Sequence, residues 1–584
     1  MDNAAIARLL NDTATLLEID GGDPFRVRSY RRAAEAVEQQ TTQLATLATP
    51  EADPKLLLAI PGIGKGMAAN IRDIAATGSM ELRDELLAKY PATILELLNL
   101  PGMGPKTVAL VWSALQVGNI DQLEAAAKAG HMNELPRMGE KFTTKLLKGI
   151  EDYRKNSSRF RIDVAKEFAD QIAALILKFP GIETVTPAGS LRRGRETCGD
   201  LDLLATGPAC EPEVAAAAVE YVATLPLIHT LLARGQNKVS FTLANNLQVD
   251  VRVLPKASYG AALQYFTGSK HHNVALRQRA IKRGLTLSEY ALLRLEDNKI
   301  VAAATEEEIY NALDLDYIPP ELRENNGEIE AAESHTLPKL ITLEDIHGDV
   351  HMHTTESDGT CSIREMAEAA IARGRRYIAI TDHSKHLAMT NGMDDKRAIA
   401  HAKRVQQVNK EMEGRIHIFS GVEVDILAEG ELDLEDETLA QLDIVVASIH
   451  SRFDQPIDVT TARVLRAVEN PYVRILGHPT GRLLLKREPY AVDLDKVFRR
   501  AAELGVAVEH NAAPMRADLS DTNLRIAKSL GCRISINTDA HATEQMDYMQ
   551  FGVTQLRRAW LTAKDVVNTA ETAEEFLGLL RARP

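Results

Sequence analysis

Residues 348–359, GDVHMHTTESDG, place two histidines and several carboxylates in one short segment of the chain. Mixed imidazole and carboxylate donors suit Mn²⁺ or Zn²⁺ better than Mg²⁺. A metal cluster built from such residues generates a water-derived nucleophile and stabilises a leaving alkoxide, which is the chemistry of phosphoester hydrolysis. Residues of the same types recur after later apolar segments: Asp382 and His383 after YIAI, Glu423 in SGVEV, His450 after VVASI, His478 after VRILG, and Asp539 with His541 after ISIN.

A second group of chemically competent residues lies in the first half of the chain, in AGSLRRG (residues 188–194) and GDLD (residues 199–202). Because side chains alternate along a strand, Asp200 and Asp202 project from one face and can hold a divalent metal ion. Asp250 in LQVDVRVL is placed by its pattern to complete a two-metal site. The same stretch offers contacts for a triphosphate from Gly189, Ser190 and Arg193.

Three different patterns of elements must position these residues. Residues 1 to 155 predict short helices separated by glycine turns, and residues 160 to 318 predict mixed strands and helices. From residue 344 onward strand and helix alternate regularly, which predicts parallel strands whose C-terminal ends share one rim. Since a single core stops growing near roughly 250 to 300 residues, the 584-residue chain is expected to contain several domains.

The helical first part contains two close copies of one pattern, AIPGIGKGMAANI and NLPGMGPKTVALV, with a weaker third copy in ELPRMGEKFTTKLL. Glycine turns that expose backbone N–H groups at a helix start can bind DNA phosphates without basic side chains. Glycine-capped turns in an ordinary helical bundle are the alternative. The segment PFRVRSYRRAAEAV adds a cationic patch, whose arginines either contact a DNA backbone or are simply solvated: Arg26, Arg28, Arg31 and Arg32.

Composition sets limits on these interpretations. The chain has a net charge of −14, 45% hydrophobic residues and no apolar run long enough to cross a membrane. Its N-terminus has an amphipathic helical pattern with acidic residues, unlike a secretory signal, and its four cysteines lack metal-site spacing. A soluble, cytoplasmic protein is expected. The acidic charge alone argues against nucleic acid, but the hairpin amides weaken that objection.

The first half resembles the family X DNA polymerases, of which DNA polymerase beta is the best-known member. The resemblance rests on the two helix-hairpin-helix motifs, GSLRRGRETCGDLD, VDVRVLPK, QYFTGSKHHNVALRQRA and GLTLSEY, from about residue 1 to 318. It implies gapped or primer-template DNA and dNTPs as substrates, with two Mg²⁺ or Mn²⁺ ions held by Asp200, Asp202 and Asp250. The implied nucleotide and DNA contacts are Arg161, Gly189, Ser190, Arg193, Gly199, Tyr265, Phe266, Gly268, Asn273 and Arg277.

Two departures from the family pattern affect what the resemblance implies. Asn70 stands where polymerase beta has its Schiff-base lysine, and asparagine cannot form that imine. Removal of a 5'-deoxyribose phosphate by the usual lyase route is therefore not expected. Val274 stands where a lysine packs on the templating base, so template handling is expected to differ in detail.

The second half, from about residue 344 to 575, resembles the PHP (polymerase and histidinol phosphatase) domain. The resemblance implies a distorted (β/α)7 barrel holding three divalent metals, Mn²⁺ or Zn²⁺. His351, His353, Glu423 and Asp539 match the ligands of one metal; Asp358, His383 and His541 match a second; His450 and His478, with Glu423 bridging, match a third. All nine ligand types are present, so the site is expected to be active.

The expected fold is multidomain α+β and α/β: helical helix-hairpin-helix domains, a nucleotidyltransferase palm with a mixed sheet, and the C-terminal distorted (β/α)7 barrel. The predicted divisions are two helix-hairpin-helix domains (residues 1–85 and 86–155), the palm (156–260), a subdomain for the nascent base pair (261–318), a linker (319–343) and the PHP domain (344–584).

The primary hypothesis is a monomeric repair polymerase for gap filling and base excision repair. Its PHP domain would be a 3'-5' exonuclease, with abasic-site cleavage as a further activity. One alternative makes that domain a phosphatase for small phosphoesters, because the metal ligands are common to both activities. Another makes the first half a non-catalytic DNA-binding module, and untemplated terminal transfer is a lesser variant.

Overall fold

The computed structural model describes residues 3–38, 44, 48, 54–60, 62–136, 138–157 and 159–581. The chain divides into two compact units, Met1–Ser157 and Ser158–Pro584. The four cysteines are free thiols, as expected from their scattered positions.

The first unit is helical, as the glycine-turn pattern predicts. Its helices bury one apolar core that includes Leu10, Leu57, Ile71 and Val108. The α-helices are Asn3–Ile19, Pro24–Glu38, Pro54–Leu58, Lys65–Thr77, Glu81–Lys89, Pro105–Leu115, Ile120–Lys128 and Glu140–Ser157, with 3-10 helices at Ala92–Asn99 and His131–Glu134.

The second unit begins with a five-stranded sheet in which Asp200–Thr206 and Gln248–Val253 are parallel neighbours. The sheet order is Thr184–Pro187, Asp200–Thr206, Gln248–Val253, Lys238–Thr242, Thr230–Arg234, and Phe160–Arg161 pairs separately with Thr197–Cys198. Helix Ile162–Ile176 packs on this sheet through a stripe of buried residues three to four positions apart, as an amphipathic helix does. The other helices of this part are Gly189–Arg192 and Ala215–Ala223.

A smaller subdomain follows, in which helices surround a three-stranded antiparallel sheet. Thr305 and Glu308 form a reciprocal capping box that begins one of its helices. The helices are Tyr259–Thr267, Lys270–Lys282 and Glu306–Ala312, and the strands are Leu285–Leu287, Leu292–Arg294 and Ile300–Ala302.

Residues 319–343, which were expected to form a linker or surface excursion, pack into the core of this subdomain. Leu322, Ile329 and Ala332 are buried, and the fully buried Glu328 lies 2.6 Å from Nδ1 of His272. The segment contains the short helices Pro320–Leu322 and Glu328–Glu333. Its polar composition suggested exposure, but two of its acidic side chains have buried partners elsewhere in the chain, Glu328 with His272 and Glu324 with Arg558.

The remainder is a barrel of seven parallel strands in sequential order. A parallel bridge between Met352 and Ala540 brings the first and last strands together. The strands are Gly348–Asp349, Tyr377–Ile380, His417–Asp425, Ile444–Ser448, Ile475–Leu476, Ala507–Asn511 and Ile534–Asn537. The main helices are Ile363–Ala372, Asp395–Glu411, Ile457–Glu469, Leu494–Leu504, Asp521–Ser529, Met549–Arg558 and Ala573–Leu579. This nearly closed barrel, the mixed sheet and the helical first unit confirm the predicted fold class.

Candidate active sites

The three carboxylates predicted for the first site meet on two neighbouring strands. The parallel register places Asp202 directly opposite Asp250, and Asp200 lies two residues before Asp202 on the same strand. Burial, together with the charges of Asp200 and Asp250, raises the pKa of Asp202 to about 7. Lys238 Nζ lies 2.6 Å from Asp250 Oδ2. Burial works against the charged form of Asp250, but its hydrogen bonds, chiefly with Lys238, keep its pKa below the usual value.

The Gly189–Arg192 helix lies against this carboxylate cluster. The backbone of Gly189 is left-handed (φ 57°), and a Cβ there would lie 2.6 Å from Asp202 Oδ2. Glycine therefore permits a close approach that any side chain would obstruct. Ser190 belongs to the same helix, and Gly199 directly precedes the strand that carries Asp200.

The two arginines predicted to contact a triphosphate are held by acidic residues in this structure. Arg161 makes a bidentate pair with Asp163, at 3.1 and 2.8 Å. Nε of Arg193 donates to Glu324 Oε1 at 3.0 Å, and its Nη1 donates to the carbonyl of Thr267. Glu324 was not identified from the sequence.

The segment predicted to face the sugar and base is held by its own contacts. Asn273 Nδ2 donates to the carbonyl of Tyr265 at 2.7 Å, and the Arg277 guanidinium lies 4.9 Å from the Tyr265 ring centroid. Phe266 is covered by the Arg252 guanidinium at 4.0 Å. Gly268 follows at the end of the same helix with a positive φ of 67°.

The second site lies at the C-terminal rim of the barrel, where all nine predicted ligand residues come together. His353, Asp358, His383 and His541 form one group whose ligand atoms lie within 4.8 Å of one another. Two further groups with the same spacing are His351 with His353 and Asp539, and His383 with Glu423 and His450. His478 Nε2 lies 2.9 Å from Glu423 Oε1.

The electrostatics of this rim follow from burying many ionisable groups together. Burial opposes the charge of His450, but Glu423 and Asp425 raise its pKa to about 9. Asp358 and Asp539 have the same effect on His541 despite its burial, giving a pKa of about 9. The pKa of His353 is instead lowered to about 4, because burial and the neighbouring His541 and His383 all disfavour its charged form.

Several buried nitrogen atoms at the rim have no hydrogen-bond partner within the described part of the chain. They include His351 Nε2, His353 Nδ1 and His478 Nδ1, each on a predicted metal ligand. Buried polar atoms without partners are costly unless another group satisfies them. Together with the mixed imidazole and carboxylate donor set, they fit a cluster of divalent metal ions.

Residues that support the rim were missed in the sequence. Glu509 Oε1 lies 2.7 Å from His351 Nδ1, and Asp425 Oδ1 lies 3.2 Å from His450 Nδ1. Such outer contacts orient a ligating imidazole. Arg516 Nε lies 3.3 Å from Asp539 Oδ2, which puts a guanidinium beside the cluster. Glu509 belongs to the segment VAVEHN and Arg516 to APMRAD, and neither segment has a distinctive spacing; Asp425 lies two residues after the predicted ligand Glu423.

The helical unit presents the predicted phosphate-binding turns. Helices Lys65–Thr77 and Pro105–Leu115 begin at Gly64 and Gly104 without a side-chain cap. Backbone N–H groups at these helix starts, such as those of Lys65 and Lys106, are therefore available to an anion, whereas Pro105 has none. The third copy begins helix Glu140–Ser157, but its Arg137 lies outside the described residues.

Comparison with known proteins identifies four regions of the chain and one relative that matches nearly its whole length. The family models that match are the helix-hairpin-helix domain (residues 1–80), the SAM-like helix-hairpin-helix tandem (94–152), the DNA polymerase beta thumb (262–324) and the PHP domain (349–513). Over 582 residues, covering 99% of both chains, the sequence is 38% identical to the DNA polymerase/3'-5' exonuclease PolX of Bacillus subtilis (strain 168). The chain belongs to the PolX family.

Two further relatives each match only part of this PolX-family chain. DNA polymerase lambda of Rattus norvegicus is 26% identical over 329 residues, which cover 52% of this chain and 53% of that one. A probable phosphatase of Thermoanaerobacter sp. (strain X514) is 31% identical over 232 residues, 38% of this chain and 89% of that protein. Among the described residues, no helix is long and apolar enough to cross a membrane.

Proposed function

We propose that this PolX-family protein is a DNA-directed DNA polymerase for DNA repair whose PHP domain is a metal-dependent 3'-5' exonuclease. The proposal rests on the presence of two separate groups of candidate metal ligands on one chain, the first made of carboxylates and the second of carboxylates and imidazoles. One is the in-register pair Asp202 and Asp250, and the other is the rim cluster of the barrel. Gapped DNA and dNTPs would be the substrates, with gap filling in base excision repair as the task.

In the polymerase site, Asp200, Asp202 and Asp250 would hold two Mg²⁺ or Mn²⁺ ions. When bound, these ions would activate the primer 3'-hydroxyl and neutralise the leaving pyrophosphate. The raised pKa of Asp202 supports this assignment, because Asp202 is buried beside the charges of Asp200 and Asp250 and a bound cation would favour its ionised form. Asp250 would be the carboxylate nearest the primer hydroxyl, and Lys238 Nζ lies 2.6 Å from its Oδ2.

The triphosphate of the incoming nucleotide would be held by Ser190, Arg193, Gly189 and Gly199, with Arg161 as a further contact. Tyr265, Phe266 and Gly268 would approach the sugar closely enough to exclude a 2'-hydroxyl. Asn273 would contact the incoming base, and Arg277 the template strand. The stacking of Arg277 on Tyr265 supports this, because it orders both side chains beside the proposed pocket.

In the PHP site, the nine rim residues would bind three divalent ions, with Mn²⁺ favoured over Zn²⁺ by the resemblance. Bound there, the ions would supply a nucleophilic hydroxide and Lewis-acid stabilisation for phosphodiester cleavage. Arg516 would clamp a phosphate oxygen of the 3'-terminal nucleotide, because its guanidinium lies beside the cluster, with Nε 3.3 Å from Asp539 Oδ2. Cleavage at abasic sites would use the same groups.

The decisive experiment separates the two sites. Asp200→Ala with Asp202→Ala should abolish primer extension and leave exonuclease activity within about twofold of the unmodified protein. His353→Ala should do the reverse, because His353 lies in two of the three candidate metal groups. If either variant loses both activities while remaining folded, the assignment of two independent sites is wrong.

A second function for the PHP half, hydrolysis of small phosphoesters, is favoured by its likeness to a probable phosphatase. Turnover of single-stranded DNA and of a free phosphomonoester by the same preparation distinguishes the two. The proposal requires a much higher kcat/KM for DNA, and a preference for the monoester would replace the exonuclease by a phosphatase. We also propose that the protein is a monomer and that it is cytoplasmic, and the four free cysteines support the second of these proposals.

A further inference from the structure

The polymerase and PHP parts of the second unit meet at the loop that follows the Gly189–Arg192 helix. Gln555 Nε2 on the barrel helix Met549–Arg558 donates to the carbonyl of Gly194 at 2.7 Å. A Cβ on Gly194, where φ is 67°, would lie only 2.1 Å from Thr554 Cγ2. The loop therefore lies directly against the barrel helix, with no room for a side chain at that point.

Arg558, at the end of the same helix, reaches the residue predicted to hold the triphosphate. Its Nη1 donates to the carbonyl of Arg193 at 2.7 Å and to Glu324 Oε1 at 3.1 Å. That same carboxylate oxygen accepts from Arg193 Nε at 3.0 Å. One Glu324 oxygen is thus shared between the guanidinium of the polymerase pocket and a guanidinium of the barrel.

Arg558 is itself fixed rigidly. Its side chain is only 3% exposed, and its Nε and Nη2 both donate to Asp521 Oδ2, at 3.0 and 2.7 Å. A buried guanidinium that bonds two carboxylates and a carbonyl is strongly constrained in geometry. Arg558 can therefore transmit the position of the barrel to Glu324 and to the backbone of Arg193.

We infer that Arg558 is a positioning residue for the polymerase reaction, supplied to the dNTP pocket by the PHP barrel. It shares Glu324 with Arg193 and so reduces the competition between this carboxylate and the triphosphate. It also holds the Arg193 carbonyl, which fixes the loop on which the guanidinium is mounted. The inference rests on the proposed role of Arg193 as a triphosphate contact.

Substitution of Arg558 and substitution of Glu324 should shift the dNTP KM in opposite directions. In Arg558→Met, Glu324 no longer pairs with Arg558 and pairs with Arg193 alone, so it competes more strongly with the triphosphate. The dNTP KM should then rise about tenfold with a smaller change in kcat. In Glu324→Gln the competing negative charge is removed, so the dNTP KM should fall about threefold. Combining them should reduce the effect of Arg558→Met to twofold or less, because the shared carboxylate is then absent.

The experiment is steady-state gap filling by the full-length protein, with exonuclease activity measured in parallel to report an intact barrel. Arg557→Met is the matched control, because Arg557 donates to Glu321 at 2.8 Å and to the carbonyl of Ile341 at 3.0 Å, and neither partner belongs to the Arg193 loop. Its dNTP KM should stay within twofold of the unmodified protein. An equal rise in Arg557→Met would mean general loss of docking and would overturn the inference.

Two further outcomes keep the inference separate from the proposed function. If Arg193→Met leaves the dNTP KM unchanged, the proposed triphosphate contact fails. If Arg193→Met raises it but Arg558→Met does not, the contact stands and the positioning role of Arg558 fails. Should Arg558→Met lose exonuclease activity through misfolding, Glu324→Gln still decides, since an unchanged or higher dNTP KM there contradicts the shared-carboxylate argument.

Discussion

Glu509→Gln tests whether the rim of the barrel is a metal site held in place by its outer contacts. Glu509 is fully buried and accepts three hydrogen bonds. Oε1 lies 2.7 Å from His351 Nδ1 and 2.9 Å from Asn537 Nδ2, and Oε2 accepts from the backbone N–H of His478 at 2.7 Å. The carboxylate therefore fixes two of the predicted ligands at once.

The expected magnitude follows from these three bonds. Glutamine keeps the shape of the side chain but replaces one accepting oxygen with an NH2 group. Whichever way the amide turns, at least one donor that faces Glu509 loses its acceptor. A hydrogen bond to a charged group contributes about 1.5–3 kcal/mol, and about 1.4 kcal/mol corresponds to a factor of ten. Mn²⁺ affinity should therefore fall roughly 10- to 100-fold, as found for outer contacts of metal ligands.

The assay is the initial rate of exonuclease digestion of single-stranded DNA as a function of free Mn²⁺. The half-saturating Mn²⁺ concentration should rise in Glu509→Gln, while gap filling in Mg²⁺ by the same sample stays unchanged. Glu571→Gln is the control, because Glu571 pairs with Arg376 and with His347, which is not a predicted ligand. An unchanged half-saturating concentration in Glu509→Gln would refute the argument that Glu509 orients His351 for metal.

The remaining predictions concern pH, lyase chemistry and a glycine. In the metal-free protein the pKa values of His450 and His541 are raised to about 9, so both are protonated near neutrality and bind metal only on losing a proton. The half-saturating Mn²⁺ concentration should fall as pH rises from 6.5 toward 9, and a pH-independent value would contradict these shifts. Borohydride should trap no covalent adduct between the protein and DNA that carries a 5'-deoxyribose phosphate, because Asn70 lacks an amine. A trapped adduct would mean that another amine of the protein acts as the nucleophile. Gly189→Ala should reduce synthesis at least tenfold and spare exonuclease, because its Cβ would meet Asp202; full synthesis would mean that the contact relaxes freely.

The same raised pKa values also affect stability. A histidine whose pKa rises on folding contributes stability that is fully present below about 6.5, its unfolded value, and is lost as pH rises through its folded value. For His450 that folded value is about 9, because Glu423 and Asp425 stabilise the imidazolium against burial. The metal-free protein should therefore melt at lower temperature as pH increases between 6.5 and 9, and added Mn²⁺ should oppose this trend.

Much of the PHP rim could be predicted because its signal is periodic. Each barrel strand is a short apolar run, and the next residues point to the rim, so His383, His450 and His478 could be assigned from position as well as type. Asp202 and Asp250 were predictable for a similar reason, since alternation along two strands fixes the face on which each side chain lies.

The features missed in the sequence depend on contacts between distant segments. Residues 319–343 are rich in proline, glutamate and asparagine, yet Glu328 is buried because His272 lies beside it. The composition of a segment indicates only whether that segment by itself would be exposed, and it does not indicate which distant residues will pack against it. Glu324 and Arg558 escaped notice for the same reason, since each is an ordinary surface-type residue until the other is placed next to it.

The bridge between Met352 and Ala540 has a consequence for how the nuclease site is assembled. His353 and Asp539 are neighbours in space but are separated by 186 residues in the sequence. Bringing such distant segments together carries an entropic cost of loop closure that contacts across the seam must offset. Metal ions bound by both residues would cross-link the first and last strands and so stabilise the closure of the barrel. Chelation should then increase amide hydrogen exchange at residues 350–353 and 538–541 before it affects the polymerase sheet.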